Sequence, residues 1–203
     1  MNKFVTFLFL LCLAGCATTS RHPLTPALPT GDLGHRWEEH QKQVAKLTNW
    51  KAQGRLAVTQ GNKGGNASFV WEQQGDFYQI KLWGPFGAGA VYLMGGPARV
   101  QARKTDGKTV YAKNPEDLIH KLTGWKVPVT GLRYWLVGLP ASQSSPKGHT
   151  WDNEGLLLSL QQDGWQIDYE AYGIYRMASL PNKLHLKRGD IKVKFLVNSW
   201  EKL

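Results

Sequence analysis

Much of this chain alternates apolar and polar side chains with a period of two, the pattern of half-buried β-strands. Segments of this kind follow one another over residues 54–111 and again over residues 155–197. Short turns separate them: one is expected over residues 60–65, and Asp106-Gly107 and Asp163-Gly164 are two-residue hairpin signals. The pattern predicts about ten or eleven strands in an antiparallel sheet, in which strands adjacent in sequence pair with one another.

Three segments switch to the 3.6-residue period of helices. The first covers residues 35–48. The second starts at Asn114-Pro115, a capping residue followed by a proline suited to the first helical position, and Gly124 can end it. The third is expected to be capped by Thr130, and its apolar residues fall at positions 132, 135, 136 and 139. Strands and helices together predict a single α+β domain.

Such a strand-rich sheet is expected to curve, because strands twist. Two outcomes are then open. The helices could fill the concave side and give a solid core, or they could fill it partly and leave an apolar cavity. The period of the pattern does not distinguish a cavity wall from a packed core, and the many aromatic residues are compatible with both.

Residues 83–89, with the sequence WGPFGAG, interrupt two predicted strands with a loop. Loops usually carry polar side chains, but this one carries Trp83 and Phe86 and no charge. One interpretation is a loop tip that folds back onto its own core. The other is an apolar knob, formed by Pro85, Phe86 and Gly87, that is held out toward an apolar partner.

The N-terminus has the features of an export signal. A short segment containing Lys3 precedes the apolar residues 4–13, which are too few to span a bilayer. The next residues, Leu13-Ala14-Gly15-Cys16, resemble a bacterial lipobox. The resemblance implies that residues 1–15 are a signal peptide, that Cys16 becomes the acylated N-terminus, and that the protein is delivered to the outer membrane, because no acidic residue follows Cys16.

Prolines recur every third residue after the lipobox, at Pro23, Pro26 and Pro29, a spacing that favours extended polyproline II structure. Residues 16–34 are therefore predicted to be the acylated N-terminus and a tether, and residues 35–203 the folded domain. Loss of the signal peptide removes Cys12, and acylation would occupy Cys16, so no disulfide can form. The domain must be stabilised by its apolar core.

The formal net charge of +10 favours anionic partners, and an exported lipoprotein would meet anionic headgroups or acidic proteins rather than nucleic acid. Much of the charge can equally serve solubility. No cysteine pair, HExxH sequence, Walker loop, GxSxG elbow or dinucleotide fingerprint is present. We therefore expect no metal, no cofactor and no enzymatic activity.

Residues 121–140, KLTGWKVPVTGLRYWLVGLP, carry the most specific motif of the chain. They resemble the LolB family of outer-membrane lipoprotein receptors, through Gly124, Pro128, Leu132, Arg133, Trp135, Gly138, Leu139 and Pro140. Residues 71–87, the strand at 191–200 and the lipobox are similar too. The resemblance implies a curved, half-open antiparallel β-barrel of about eleven strands, covered by three short helices, with an apolar cavity for acyl chains.

The resemblance also implies a function and a set of site residues. The protein would be a monomer that accepts acylated lipoprotein cargo from a LolA-like periplasmic carrier and inserts it into outer-membrane phospholipid. A protruding loop would enter the membrane through an apolar residue, often leucine in the family and here Phe86. The candidate cavity residues are Phe69, Trp71, Ile80, Leu82, Val91, Leu93, Leu132, Trp135 and Leu136.

Two other interpretations remain open from the residues alone. A basic, lipid-anchored, aromatic-rich sheet could be a non-catalytic envelope module that binds glycan or a partner protein and has no lipid cavity. An enzyme acting on lipid or peptidoglycan is the third possibility, and it would need a carboxylate or histidine buried in a cleft.

Overall fold

The computed structural model describes residues 30–87 and 89–203, with only the backbone of Thr30, Gly31 and Phe86. The predicted signal peptide, Cys16 and the predicted tether as far as residue 29 lie outside the described residues. The helices and strands are α1 (Thr30–Ala45), β1 (Asn49–Gln60), β2 (Lys63–Gln74), β3 (Phe77–Trp83), β4 (Val91–Gly95), β5 (Val100–Lys104), β6 (Thr109–Ala112), α2 (Pro115–Thr123), α3 (Val129–Trp135), β7 (Gly148–Trp151), β8 (Leu157–Gln162), β9 (Trp165–Tyr175), β10 (Ala178–Arg188) and β11 (Ile191–Glu201).

The described strands form one eleven-stranded antiparallel sheet in the order β6-β5-β4-β3-β2-β1-β11-β10-β9-β8-β7. Strands that follow one another in sequence pair within β1–β6 and within β7–β11, and one long-range pairing, β1 with β11, joins these two halves. The edge strands β6 and β7 do not pair with each other, so the sheet stays open. The predicted α+β architecture, an antiparallel half-open barrel with three helices, is confirmed.

The two-residue hairpin at Asp163-Gly164 is confirmed. Asp163 and Gly164 both have positive φ, as a two-residue hairpin requires. The hairpin at Asp106-Gly107 joins β5 and β6 as predicted, but its turn covers three residues, because the Lys104 N–H donates to the Lys108 carbonyl. One further turn and one strand were predicted wrongly. The turn expected over residues 60–65 is shorter, because β2 already begins at Lys63. The adjacent glycines Gly64 and Gly65, which were expected in this turn, lie inside β2. Strand β7 was missed, because its four residues, Gly148–Trp151, are too few to show an alternating pattern.

Helix α1 covers Thr30–Ala45 rather than the predicted residues 35–48. Its first turn thus lies in the segment predicted as tether. An ion pair between Arg36 Nε and Asp32 Oδ2, 2.6 Å apart at i and i+4, stabilises that turn. The apolar residues Trp37 and Val44 of the predicted face are buried, and the chain leaves the helix early because β1 starts at Asn49.

Helix α2 is capped as predicted, whereas α3 is not. Asn114 Oδ1 accepts a hydrogen bond from the Asp117 N–H at 2.8 Å, and Gly124 ends α2 with a φ of 80°. Thr130 lies inside α3 and does not cap it. Its N–H instead donates to Glu116 Oε1 of α2 at 2.8 Å. A carboxylate of one helix therefore satisfies the first turn of the next.

The two faces of the sheet differ sharply in polarity. Along β11 the buried Val193, Phe195 and Val197 alternate with the exposed Lys194 and Leu196. The inner face holds the apolar core, and the helices pack against it. The outer face faces solvent.

Helix α3 is held against the sheet by a buried glutamine. Gln162 Oε1 accepts hydrogen bonds from Trp135 Nε1 and from the Ala141 N–H, both at 2.8 Å. Its Nε2 donates to the carbonyl oxygens of Ala141 and Ser144. All four hydrogen-bonding positions of the side-chain amide are thus used in a buried site. These bonds fix the position of α3 relative to β8.

Two further contacts fix the ends of α3. Arg133 donates from one guanidinium nitrogen to the Gly75 carbonyl at 2.9 Å and to Asp76 Oδ1 at 3.0 Å, which joins the helix to the β2–β3 turn. The Tyr169 hydroxyl donates to the Trp135 carbonyl at 3.0 Å. Burial raises the pKa of Tyr169 far above its ordinary value, so the hydroxyl remains a donor.

Replacing Gln162 by Leu tests this anchoring. The variant leaves Trp135 Nε1, the Ala141 N–H and two carbonyls buried without partners, so the free energy of unfolding should fall by at least about 3 kcal/mol. Urea denaturation followed by tryptophan fluorescence measures this. The matched control is Gln161→Leu at the adjacent exposed position, which should change stability by less than about 0.5 kcal/mol. Equal losses in the two variants would contradict the anchoring role.

Candidate functional site

An apolar cavity of about 320 Å³ lies between the inner face of one half of the sheet and the two helices that connect its edges. Strands β1 to β5 and β11 form its wall, and α2, α3 and the residues between them form its cover. Its volume is at the lower end of the range of about 300–1,000 Å³ for small-molecule pockets. The residues that line it are Leu56, Val58, Asn66, Ala67, Phe69, Trp71, Ile80, Leu82, Trp83, Gly84, Gly89, Val91, Leu93, Lys104, Ile119, Leu122, Thr123, Trp125, Val127, Val129, Leu132, Val193 and Phe195.

The structure brings together most of the residues singled out from the sequence. The candidates that line the cavity are Phe69, Trp71, Ile80, Leu82, Val91, Leu93 and Leu132. Strand alternation selected six of these, because consecutive inward side chains of paired strands share one face. That they hold acyl chains stays a prediction.

Trp135 and Leu136 do not line this cavity. Both are fully buried, and the Trp135 ring packs 6.5 Å from the ring of Trp165, measured between centroids. The helical period placed them on the same apolar face as Leu132, but only Leu132 reaches the cavity. The other two face the packed half of the sheet, where Gln162 holds the indole of Trp135.

Sequence reasoning missed the cover of the cavity and part of its wall. Ile119 and Leu122 of α2 close it from above, and Trp125 and Val127 follow in the connection to α3. The apolar face of α2 was visible in the sequence, but nothing in its period indicated which part of the sheet it would cover. On the wall, the missed residues of β1 and β11 follow the same alternation as the neighbouring strands.

Trp125 covers the cavity next to Gly64 and Gly65 of β2. A Cβ atom at Gly65 would lie 3.0 Å from the Trp125 ring. Because glycine has no side chain, the indole of Trp125 can pack directly against the backbone of β2. The link between α2 and α3 has few other restraints: the Trp125 N–H donates to Thr123 Oγ1 at 3.1 Å, and the Val129 N–H to the Val127 carbonyl. It is less restrained than α3.

The lining has almost no chemistry beyond apolar contact. Its polar members are Asn66, Thr123 and the exposed Lys104, which follows the inward Val100 and Ala102 at the end of β5. No carboxylate, histidine or cysteine lines it, and the described residues contain no cluster of acidic, histidine or cysteine side chains suited to a metal ion. Such a cavity can sequester a neutral, apolar ligand.

The glycine-rich loop borders the cavity. Trp83, Gly84 and Gly89 belong to the lining, and between them Pro85–Gly87 form a single 3-10 turn. Pro85 and Gly87 are exposed. The Phe86 side chain lies outside the described part of the chain. Its position at the membrane therefore stays a prediction.

Membrane contact through a helical span is not seen in the described part of the chain. None of its helices combines the length and the apolar character needed to cross a bilayer.

Comparisons with known proteins agree with the geometry. The sequence model of the family described as "Outer membrane lipoprotein LolB" matches residues 48–200. The chain is 34% identical to an outer-membrane lipoprotein LolB of Nitrosococcus oceani, over 97% of this chain and 96% of that protein. It is 32% identical to the LolB of Pseudomonas fluorescens, over 98% and 96%.

Solved structures show the same fold at much lower sequence identity. A LolA superfamily protein from Nitrosomonas europaea superimposes with a TM-score of 0.52 at 4% identity, covering 87% of this chain and 94% of that one. This similarity concerns the fold alone.

Filling the cavity tests whether it is a binding site. Leu82→Trp places an indole among the lining residues, so affinity for a fluorescent long-chain fatty acid should fall at least about tenfold, since overpacking a filled site costs on the order of 1–3 kcal/mol. The matched control is Leu158→Trp, at a site that is 46% exposed on β8. Fluorescence titration should show unchanged affinity for the control. Unchanged affinity in both variants would place the fatty acid elsewhere.

Proposed function

Because the chain belongs to the LolB family of outer-membrane lipoproteins, we propose that it takes up the acyl chains of lipoproteins from a LolA-like periplasmic carrier and releases them into the outer membrane. Family membership also confirms the predicted outer-membrane location and the prediction that the chain is not an enzyme. The partners named here, a carrier, an acylated cargo protein and phospholipid, are part of the proposal.

The apolar cavity is the observation that carries this proposal. A folded domain normally fills its interior, and voids larger than a water molecule are few. Here apolar side chains from five strands and two helices surround about 320 Å³ of space. An unfilled cavity lowers the stability of the fold, because the side chains around it lose van der Waals contacts. A lipid chain that enters the cavity would restore these contacts.

Hydrophobic transfer energies explain why such a receptor needs a cavity. Each methylene group gains about 0.8 kcal/mol when it leaves water, so exposing three acyl chains would cost on the order of 30 kcal/mol. No carrier could release them into the periplasm at a useful rate. Transfer must lead from one apolar cavity to the next and then into the bilayer. No nucleotide is needed if each step is slightly downhill.

Cargo uptake requires the cavity to widen. Its 320 Å³ correspond to about ten water-sized groups of roughly 30 Å³, fewer than the carbons of a single long acyl chain. The link that bears Trp125 is the part of the cover with the fewest hydrogen bonds, whereas Gln162 and Arg133 hold α3 in place. In this proposal the link swings outward while α3 remains fixed.

The loop at Pro85–Gly87 gives the cavity its exit toward the membrane. Phe86 lies in sequence between the exposed Pro85 and Gly87, and Gly84 and Gly89 on either side of this turn line the cavity, which supports the assignment. Full burial of a phenylalanine contributes about 1.5–3 kcal/mol, which is enough to dock the loop in a bilayer but too little to drive transfer. Phe86 therefore guides delivery, and the acyl chains supply the driving force.

Anchoring keeps the domain at its target membrane. The proposal assigns the acyl anchor to Cys16 and the span from Cys16 to the start of α1 to the tether, with one chain as the working unit. Residues 17–29 in an extended conformation reach about 40 Å at roughly 3.1 Å per residue. This distance lets the domain contact both a carrier in the periplasm and the membrane surface.

Nucleotide-free transfer is the direct test of the receptor function. The chain with Cys16→Ala is mixed with a LolA-like carrier loaded with an acylated lipoprotein, and the two proteins are separated by affinity capture. The cargo should move to this chain without any added nucleotide, because both cavities bury the acyl groups. Cargo that stays on the carrier, or a folded chain that also fails to bind the fatty acid, would favour the glycan- or protein-binding alternative.

Replacing Phe86 by Glu separates uptake from delivery. Cargo uptake from the carrier should be unchanged, and incorporation into phospholipid vesicles should slow at least about tenfold, because a charged side chain replaces the apolar contribution to docking. Vesicle flotation measures incorporation. The matched control is Phe77→Glu, since Phe77 is 64% exposed at the opposite end of β3. Equal loss of uptake and incorporation in the Phe86 variant would contradict the assigned role.

A further inference from the structure

A second groove, of about 680 Å³, lies on the outer face of the sheet, on the side opposite the apolar core. Its cationic and ionisable side chains are Arg55 from β1, Lys183 and His185 from β10, and Lys194 from β11. The exposed Leu196 lies among them, cross-strand from both Arg55 and Lys183. The groove is therefore a basic surface with an apolar centre.

Charge is concentrated here beyond what solubility requires. Next to the groove, Lys187 of β10 lies directly opposite Lys192 of β11. Like charges in facing positions destabilise a sheet. A surface made soluble by charge would instead intersperse the two signs. The arrangement costs folding stability and is explained by an anionic partner.

Among the residues that the structure describes, Glu170 is the carboxylate that forms ion pairs in the groove, and Asp168 of β9 lies cross-strand from His185. Glu170 contacts Lys183 Nζ at 2.5 Å and His185 Nδ1 at 3.0 Å. The hydrogen bond from Lys183 is the main reason that the pKa of Glu170 lies below its usual value. Arg55 and Lys194 form no ion pair with any residue that the structure describes, and they remain available to an external anion.

The groove is continuous with the loop that is proposed to meet the membrane. Trp83, Gly84 and Pro85 form one of its rims, so the same segment borders the apolar cavity on the inner face and the basic groove on the outer face. Lys81 adds a further charge beside it, with its Nζ 5.2 Å from the centroid of the Trp83 ring. At a membrane surface the phosphates lie outside the acyl region. An apolar turn flanked by cations matches this order, because the turn can contact the acyl region while the cations contact the phosphates.

We propose that Arg55 and Lys194 bind the headgroup phosphate of an anionic phospholipid, and so set the depth and orientation at which the Pro85–Gly87 turn meets the membrane. The inference rests on the proposed function, since it concerns the delivery step. Arginine can hold phosphate oxygens through two parallel hydrogen bonds, and lysine adds a point charge. Leu196 and Trp83 supply apolar contact for the glycerol backbone.

A charge-reversal pair with a matched control tests this site. The full-length chain carries Cys16→Ala, so that no acyl anchor contributes, and binds vesicles of phosphatidylglycerol in phosphatidylcholine. Arg55→Glu with Lys194→Glu should weaken binding at least about 30-fold, because each cation near an anionic surface contributes and each new carboxylate is repelled. The control, Lys113→Glu with Lys147→Glu, changes net charge equally at exposed positions beside the sheet edges and should weaken binding less than about threefold.

Other measurements distinguish this proposal from failure of the receptor function. Cargo transfer from the carrier, measured without vesicles, should be unchanged in the groove variant, because the groove is outside the cavity. If the unmodified chain takes up no cargo, the receptor proposal fails. The vesicle experiment still tests whether the groove binds anionic phospholipid. Should the reversal variant misfold, Arg55→Gln with Lys194→Gln gives the neutral version, with a loss of about fivefold or more.

Three outcomes would overturn the headgroup site. Equal weakening in the groove and control variants would mean that net charge alone attracts the vesicles. Unchanged binding in both would mean that the groove is not used. Binding of free glycerol phosphate as tight as binding to the vesicles would assign the groove to a soluble phosphate compound instead of a lipid. Selective loss in the groove variant, with vesicles of phosphatidylcholine alone bound equally weakly by all variants, supports it.

Discussion

An open eleven-stranded sheet presents more apolar inner surface than two short connecting helices can cover. Collapse of the helices into the sheet would close the remaining space, and the hydrophobic effect favours that collapse. Gln162 restrains α3 on one side, because its amide forms hydrogen bonds with the Trp135 indole and with the backbone of Ala141. A buried polar network thus fixes the distance between cover and wall. The cavity lies beside this fixed helix.

The domain divides its chemistry between the two faces of a single sheet. Strand alternation makes this division possible, since consecutive side chains of β11 point to opposite faces. The inner face excludes ions and can hold acyl chains, while the outer face concentrates unpaired cations. The segment at 83–85 lies where the two surfaces meet. In the proposed delivery step this arrangement puts the apolar exit and the phosphate contacts at the same edge of the molecule.

The most specific motif of the chain has a structural rather than a ligand-binding explanation. Arg133 joins α3 to the β2–β3 turn, and Trp135 binds Gln162. Gly138 has a φ of +82°, a conformation that favours glycine. From this helix, Val129 and Leu132 reach the cavity. The residues that make the resemblance recognisable mainly hold the cover in place, and Trp135 and Leu136 are buried outside the lining of this cavity.

The sequence by itself determined ten of the eleven strands, their inner and outer side chains, the hairpins at Asp106 and Asp163, and the cap of α2, because these depend on neighbours in the chain. Seven of the nine candidate residues at the cavity follow from that alternation and from Leu132. Tertiary structure alone decided that a cavity remains, that α2 and Trp125 cover it, and that Glu116 caps α3. It also brought Arg55, Lys183 and Lys194 into one groove. These features depend on contacts between residues far apart in sequence, above all the pairing of β1 with β11, and no local period encodes such distances.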